Sequence, residues 1–287
     1  MAQDALPDES PAPARSLAGR TLLITGATRG IGLAIARRAA QDGANIALIG
    51  KTDRPHRVLP GTIHTAAEEI EAAGGHALPL AVDLRDADRV SEAVERVVER
   101  FGALDILVNN ASAIQLTGTL DTAVKRFDLM HQVNARGSFV ASQASLPHLL
   151  DSGHAHILTL SPPLDLDPRW FGPHVAYSMA KFGMSLLTLG LSEEFRGRIG
   201  INALWPRTVI DTAALRVLDF VDRRRARHAT IVADAAHAIL TRDPRTATGR
   251  FFIDEEVLRE EGVTDFTPYA VDPSRELQLD LYVRAGS

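Results

Sequence analysis

Apolar residues recur along the chain in two alternating rhythms, and from residue 20 onward these predict strands alternating with helices. Thr21–Thr25 is a short apolar run that ends in a glycine turn, and Ile31–Ala40 follows with apolar residues three and four apart, the spacing of one helix face. Asn45–Gly50 reads as a second strand, Thr65–Ala73 as helix and His76–Val82 as strand. Ala87–Phe101 carries Val90, Val94, Val97 and Val98 on one face and predicts an amphipathic helix. Asp105–Val108 then reads as strand, 122–150 as a long helical region, Ala155–Leu160 as strand, Tyr177–Phe195 as helix, and Ile199–Trp205 and Phe251–Asp254 as the last strands.

Strands alternating with helices imply βαβ units and a parallel sheet covered on both faces. Near-continuous apolar strands such as Ile106-Leu107-Val108 agree with burial on both sides. The expected fold is therefore one doubly wound α/β domain with a mainly parallel, seven-stranded sheet. It is expected over 19–260, after a disordered leader (1–18) and before a C-terminal extension (261–287).

Composition narrows the function classes. Of 287 residues, 45% are apolar and 23% charged, the balance of a soluble globular protein. A net charge of −5 gives no electrostatic case for nucleic acid, and no apolar run is long enough for a membrane span. There is no cysteine, so disulfides and thiolate chemistry are excluded. The leader has neither a basic nor an apolar segment, so a cytoplasmic location is expected.

The turn after the first strand reads Thr25-Gly26-Ala27-Thr28-Arg29-Gly30-Ile31-Gly32. Glycines there let the backbone approach a pyrophosphate, whose charge meets the N–H groups opening the next helix. A strand-to-helix turn that merely needs positive φ is the plainer alternative; the position after the first strand of an alternating chain favours a nucleotide. The second strand ends Ile49-Gly50-Lys51 rather than in an acid, and Lys51, with Arg29, would attract a 2′-phosphate. NADP(H) is thus expected, with Asp53 keeping NAD(H) open. Asp83 ends the third strand, where a carboxylate can accept from an adenine amino group, and Asn109-Asn110-Ala111-Ser112 ends the fourth.

Tyr177 and Lys181 stand four residues apart in Ala176-Tyr177-Ser178-Met179-Ala180-Lys181, so a helix projects both from one face. An ammonium beside a phenol favours the phenolate, lowering the tyrosine pKa from about 10 toward values useful for proton exchange with a carbonyl oxygen.

These motifs together resemble the short-chain dehydrogenase/reductase family over roughly 18–255, which implies a Rossmann-type fold and hydride transfer with a nicotinamide cofactor. Lys51-Thr52, Pro55-His56, Gly61–Ile70, Ser161-Pro162-Pro163-Leu164 and Asn202–Pro206 resemble one subgroup, whose eukaryotic members carry a C-terminal sterol-carrier domain that a chain ending at Ser287 has no room for. The resemblance implies that Tyr177 is the general acid/base and that Lys181 binds the nicotinamide ribose and depresses the tyrosine pKa. Asn134 would hold a water linking Lys181 to solvent, and Ile210 and Thr212 would contact the carboxamide. It further implies a cofactor site of Gly26, Thr28, Arg29, Gly30, Ile31, Gly32, Lys51, Asp83, Leu84, Asn110 and Ala111 with Tyr177 and Lys181. The implied substrate is a small apolar alcohol, ketone or aldehyde of fatty, isoprenoid or steroid-like character, and the implied assembly a homodimer or homotetramer through 122–150 and 177–195.

One position departs from the family. Its catalytic serine falls at 164, which is leucine here, and Ser161 is the serine left to donate to the substrate oxygen. That departure supports an alternative, an NADP(H)-binding sensor or assembly protein with little catalysis; a reductase of thioester-linked acyl groups is a third reading. His154 and His156 alternate on a strand without an evident third ligand, so no metal is expected. Arg223–Arg225 and Arg227 read as a solvated helix face, and Trp170 and Phe171 as pocket lining or a subunit contact.

Overall fold

A computed structural model describes residues 15–54, 61–213, 215 and 221–284. Pro55-His56, Ala285-Gly286-Ser287 and residues 1–14 of the expected leader lie outside the described residues. Seven strands form one sheet: β1 (Thr21–Thr25), β2 (Asn45–Gly50), β3 (His76–Ala81), β4 (Ile106–Asn109), β5 (His156–Thr159), β6 (Gly200–Trp205) and β7 (Phe251–Ile253). Their order is β3-β2-β1-β4-β5-β6-β7 and every pairing is parallel. The chain winds outward from β1 in both directions, which leaves a crevice at the carboxyl ends of β1 and β4.

The helices are α1 (Gly30–Ala40), α2 (Ile63–Ala72), α3 (Ala87–Phe101), α4 (Val124–His131), α5 (Gly137–Leu150), α6 (Val175–Glu194), α7 (Thr230–Leu240) and α8 (Asp254–Glu260). Alternation along the strands sends side chains into two cores. Leu22, Ile24 and Leu48 pack with Ile35 of α1, Ile231 and Ile239 of α7 and Val257 of α8. Leu23, Ala47 and Leu107 pack with Val90, Val94 and Val97 of α3 and Val140 of α5 on the other face. α3 occupies the predicted span and stops where Gly102 adopts φ +83°, a left-handed cap that glycine takes without Cβ strain. α4 runs into α5 through a single π turn, Gln132–Arg136.

Two expectations change, and the paired histidines find partners. Leu17 of the leader is 1% exposed and belongs to the first core, and its N–H donates to Asp42 Oδ2 at 2.7 Å, so the ordered chain begins before residue 19. The arginine run is a short 3₁₀ turn, not a helix face. Arg223 pairs with Asp211, Arg224 with Asp222, and Arg227 is buried against Glu255 with its guanidinium over the Phe266 ring. A buried guanidinium is tolerable only when paired in this way. His154 and His156 each bond a main-chain carbonyl, Leu240 O at 2.7 Å and Arg242 O at 3.2 Å, and so tie β5 to the end of α7.

Candidate active site

The crevice is built by close backbone approach. Gly26 has φ +68°, and a Cβ there would lie 2.8 Å from Ala111 Cα. A Cβ on Gly32 would meet Asn110 Nδ2 at 2.4 Å. Asn110 in turn donates to Thr25 O and Gly26 O at 2.9 and 3.1 Å, while Thr25 Oγ1 accepts from the N–H groups of Asn110 and Ala111. The ends of β1 and β4 are thus locked together around the glycine turn. α1 starts at Gly30 without a side-chain cap, so its first N–H groups face the crevice available to an anion. Thr212 lies against Gly30, which brings the segment after β6 to the same edge. Thr28, Leu84 and Ile210 are buried around this edge and Ile31 is partly buried. A glycine cradle at an uncapped helix start fits a dinucleotide pyrophosphate.

Two expected contacts are otherwise engaged. Arg29 donates to Thr52 Oγ1 and Gly61 O, both at 3.1 Å, and so closes the segment after β2 onto the glycine turn. Lys51 is exposed at the end of β2. The Asp83 carboxylate is paired with Arg85, which holds its pKa below the usual range; this ion pair stands where an adenine amino group was expected to bond. Asp53 is bound to His64 at 2.8 Å.

Tyr177 and Lys181 do share a face of α6, the face directed at the sheet, and both are buried. Two bonds stitch that face to the end of β5. Lys181 Nζ donates to Leu160 O at 2.6 Å, and Ser185 Oγ donates to Pro162 O at 2.7 Å. Gly183 permits the helix to approach Ala135 in the π turn, where a Cβ would come within 3.0 Å of the Ala135 methyl. Asn134, in the same turn, spends its amide on one residue: Oδ1 accepts from Ala113 N–H at 2.7 Å and Nδ2 donates to Ala113 O at 3.1 Å. Its side chain therefore fixes the loop after β4.

Ser161 is 1% exposed and its hydroxyl has no hydrogen-bond partner among the described residues. Ser112, at the exposed end of the loop that Asn134 clamps, donates from Oγ to Ala113 O at 3.5 Å and stands near enough to the Tyr177 phenol to act on its pKa. Nothing in the sequence motif separated Ser112 from an ordinary turn residue.

The electrostatics correct a second expectation. Burial pushes the Tyr177 phenol well above its ordinary pKa, the acids Tyr282 and Asp280 add to this, and the nearby Ser112 hydroxyl opposes it. Burial also lowers Lys181 to about 7, with Asp280 pulling it back up. A lysine desolvated that far carries only part of its charge near neutrality, so burial, not the ammonium, dominates the phenol.

Beyond the pair stands an aromatic wall. Trp170, Phe182 and Trp205 ring Tyr282, with centroids 6.2, 5.4 and 5.8 Å away, and Phe171 packs on Phe182 at 4.7 Å. Tyr282 and Asp280 come from the C-terminal segment, so the described part of the expected extension, up to residue 284, completes the site. Trp170 and Phe171 line this wall.

A family model described as short chain dehydrogenase matches residues 20–219. Hydroxysteroid dehydrogenase-like protein 2 of Danio rerio is 56% identical over 268 residues, covering 93% of this chain and 64% of its own. The chain thus spans less than two thirds of the length of that relative, which belongs to the subgroup expected from the motifs. A crystallised dehydrogenase candidate from Xanthomonas campestris is 57% identical, with a TM-score of 0.92 over 94% of this chain and 100% of that one. A Burkholderia cenocepacia short chain dehydrogenase in complex with NADP is 29% identical, with a TM-score of 0.68 over 83% and 96% of the two chains. One from Mycobacterium paratuberculosis bound to NAD shares the fold at 22% identity and a TM-score of 0.68, over 83% and 97% of the chains.

Proposed function

The chain belongs to the short-chain dehydrogenase family, and we propose that it is an NADP(H)-dependent oxidoreductase of apolar alcohols, ketones or aldehydes, acting in the cytoplasm. The observation that carries this reading is the burial of Tyr177 and Lys181 on one face of α6, stitched to the β5 end beside the glycine crevice. Gly26, Gly30 and Gly32 with the start of α1 would hold the pyrophosphate, Lys51 the 2′-phosphate, and Ile210 and Thr212 the nicotinamide end. When bound, the nicotinamide supplies or takes up the hydride.

Tyr177 gives its phenolic proton to the carbonyl oxygen in reduction and takes it back in oxidation. A high phenol pKa keeps Tyr177 protonated, the form a reductase needs at the start of a turnover. Ser112, whose hydroxyl stands near the phenol, takes the donor role that the family places at position 164. The wall of Trp170, Phe171, Phe182 and Trp205 excludes water and favours a fatty, isoprenoid or steroid-like substrate. Phe139 on α5 and Met179, Leu186 and Leu189 on α6 expose apolar side chains on the helices where a dimer or tetramer contact is proposed.

The test is a panel of apolar ketones and aldehydes assayed by NADPH oxidation. Tyr177→Phe should keep NADPH binding and lower turnover by at least about 100-fold. Undiminished turnover refutes the mechanism. Tight NADPH binding with no turnover across the panel favours the alternative of a cofactor-binding sensor, for which the unpartnered Ser161 hydroxyl is the supporting observation.

A further inference from the structure

The C-terminal strap, residues 278–284, crosses the site as a tethered strand of backbone. Val209 N–H donates to Gln278 O at 3.0 Å and Asp280 N–H to Arg207 O at 3.1 Å. Trp205 Nε1 donates to Leu281 O at 2.7 Å, and the Lys181 ammonium lies 5.0 Å over that same indole ring. Tyr282 OH and Ser178 Oγ share a hydrogen bond of 2.9 Å, one residue along α6 from Tyr177. Arg284 closes the strap with two bonds to Asp165, at 2.7 and 2.9 Å. These tethers fix Asp280 next to Leu281, whose carbonyl is held by the indole that lies under the Lys181 ammonium, and Asp280 Oδ1 accepts the Leu281 N–H at 2.6 Å.

We propose that Asp280 is a positioning residue for the reaction proposed above: its carboxylate, delivered by the strap, holds Lys181 in its charged form beside Tyr177. The inference rests on the reading of Tyr177 and Lys181 as the proton-handling pair. Four groups bear on Asp280. Lys181 and Tyr177 act on it through their charges from α6, Asp254 from the start of α8, and Tyr282 from the strap itself. Arg207 offers its main-chain carbonyl, while its guanidinium is directed to Glu255 and Glu256. Residue 280 as a whole is only partly buried, yet its carboxyl is desolvated enough to rise to about 7, with Asp254 adding to the rise and Lys181 opposing it. Asp280 and Lys181 therefore titrate as a coupled pair over the same range. Ionised Asp280 favours the ammonium, and removing it lets Lys181 lose its proton at lower pH.

The chain holds three lysines, Lys51, Lys125 and Lys181, so the ε-carbon resonances of ¹³C-labelled protein can be assigned with Lys181→Met and followed against pH without cofactor. In Asp280→Asn, which retains an acceptor for the Leu281 N–H, the Lys181 midpoint should fall by about one pH unit, the coupling of two enclosed charges at an effective dielectric of ~20. Asp280→Glu should return it toward the wild-type value and supplies the measurement should the asparagine variant not fold. The alkaline limb of kcat/KM should move with the midpoint. An unmoved midpoint in Asp280→Asn, or in Asp280→Glu a midpoint displaced as far as charge removal predicts, overturns the proposal. A shifted midpoint in a protein that reduces no carbonyl supports the strap coupling and refutes the reductase reading, so the two failures are distinguishable.

Discussion

Ser112 and Ser161 compete for one role, and a pair of alanine substitutions separates them. Ser161 lies two residues beyond β5 with 1% exposure, and its hydroxyl is buried without a partner among the described residues. An unmet buried hydroxyl costs about 1–3 kcal/mol, so Ser161→Ala should be neutral or stabilise by about 1 kcal/mol once the small void is counted. In a chain of this size that is a rise in Tm of about 2 °C, and kcat should stay within about threefold. Ser112 is exposed, and its hydroxyl stands near the phenol proposed to handle the proton. A hydrogen bond to a group carrying charge in the transition state is worth about 1.5–3 kcal/mol, and exposure places this one at the low end, so Ser112→Ala should lose roughly 10- to 30-fold in kcat. KM and NADPH affinity should change little, because the bond strengthens as charge develops. Steady-state kinetics and thermal denaturation of both variants decide the matter. A 100-fold loss in Ser161→Ala beside an unaffected Ser112→Ala would refute the reasoning and place the donor at the strand end.

Two further outcomes test the cofactor edge and the core. Lys51→Glu should lower the ratio of NADPH to NADH affinity by roughly tenfold or more, since an exposed cation reading a 2′-phosphate is replaced by a like charge; equal ratios in fluorescence titrations of wild type and variant would remove Lys51 from that role. His156 is buried, and burial lowers its folded pKa to about 3 from 6.5, so between those values the unfolded chain binds a proton that the folded chain does not. Its contribution to stability is intact above pH 6.5 and is lost as pH falls toward 3, by at most roughly 4 kcal/mol. Asp254, raised to about 6 by burial, works in the opposite direction, so the effect is read as the difference between wild type and His156→Gln in urea unfolding from pH 7 to pH 4. A difference independent of pH would contradict the assignment.

What could be read from the chain was whatever a local rule writes locally. The glycine turn declares itself because a strand, a tight turn and a helix start are contiguous, and Tyr177 with Lys181 because helical spacing alone puts them on one face. α7 leaves only a thin stripe: Ile231, Val232, Ala233, Ala235, Ala236, Ile239 and Leu240 are all buried, and Thr230, Asp234 and His237 alone mark its polar side. Arg227 looked solvated because its partner Glu255 lies 28 residues away. Asp83 looked free because the chemistry of a strand-end carboxylate does not reveal that Arg85 would fold back on it. The site itself divides the same way. Its nucleotide edge comes from strand ends that any parallel α/β sheet brings together, whereas its titration is set first by burial and then by Asp280 and Tyr282, which follow Tyr177 by about a hundred residues and reach it through the tethers at Trp205, Arg207 and Asp165. A motif therefore points to the groups proposed to exchange the proton, and the enclosure built by distant segments shifts the pH at which they titrate. That is why the Tyr177 phenol stands high here, although the lysine spacing by itself argued that it should be low.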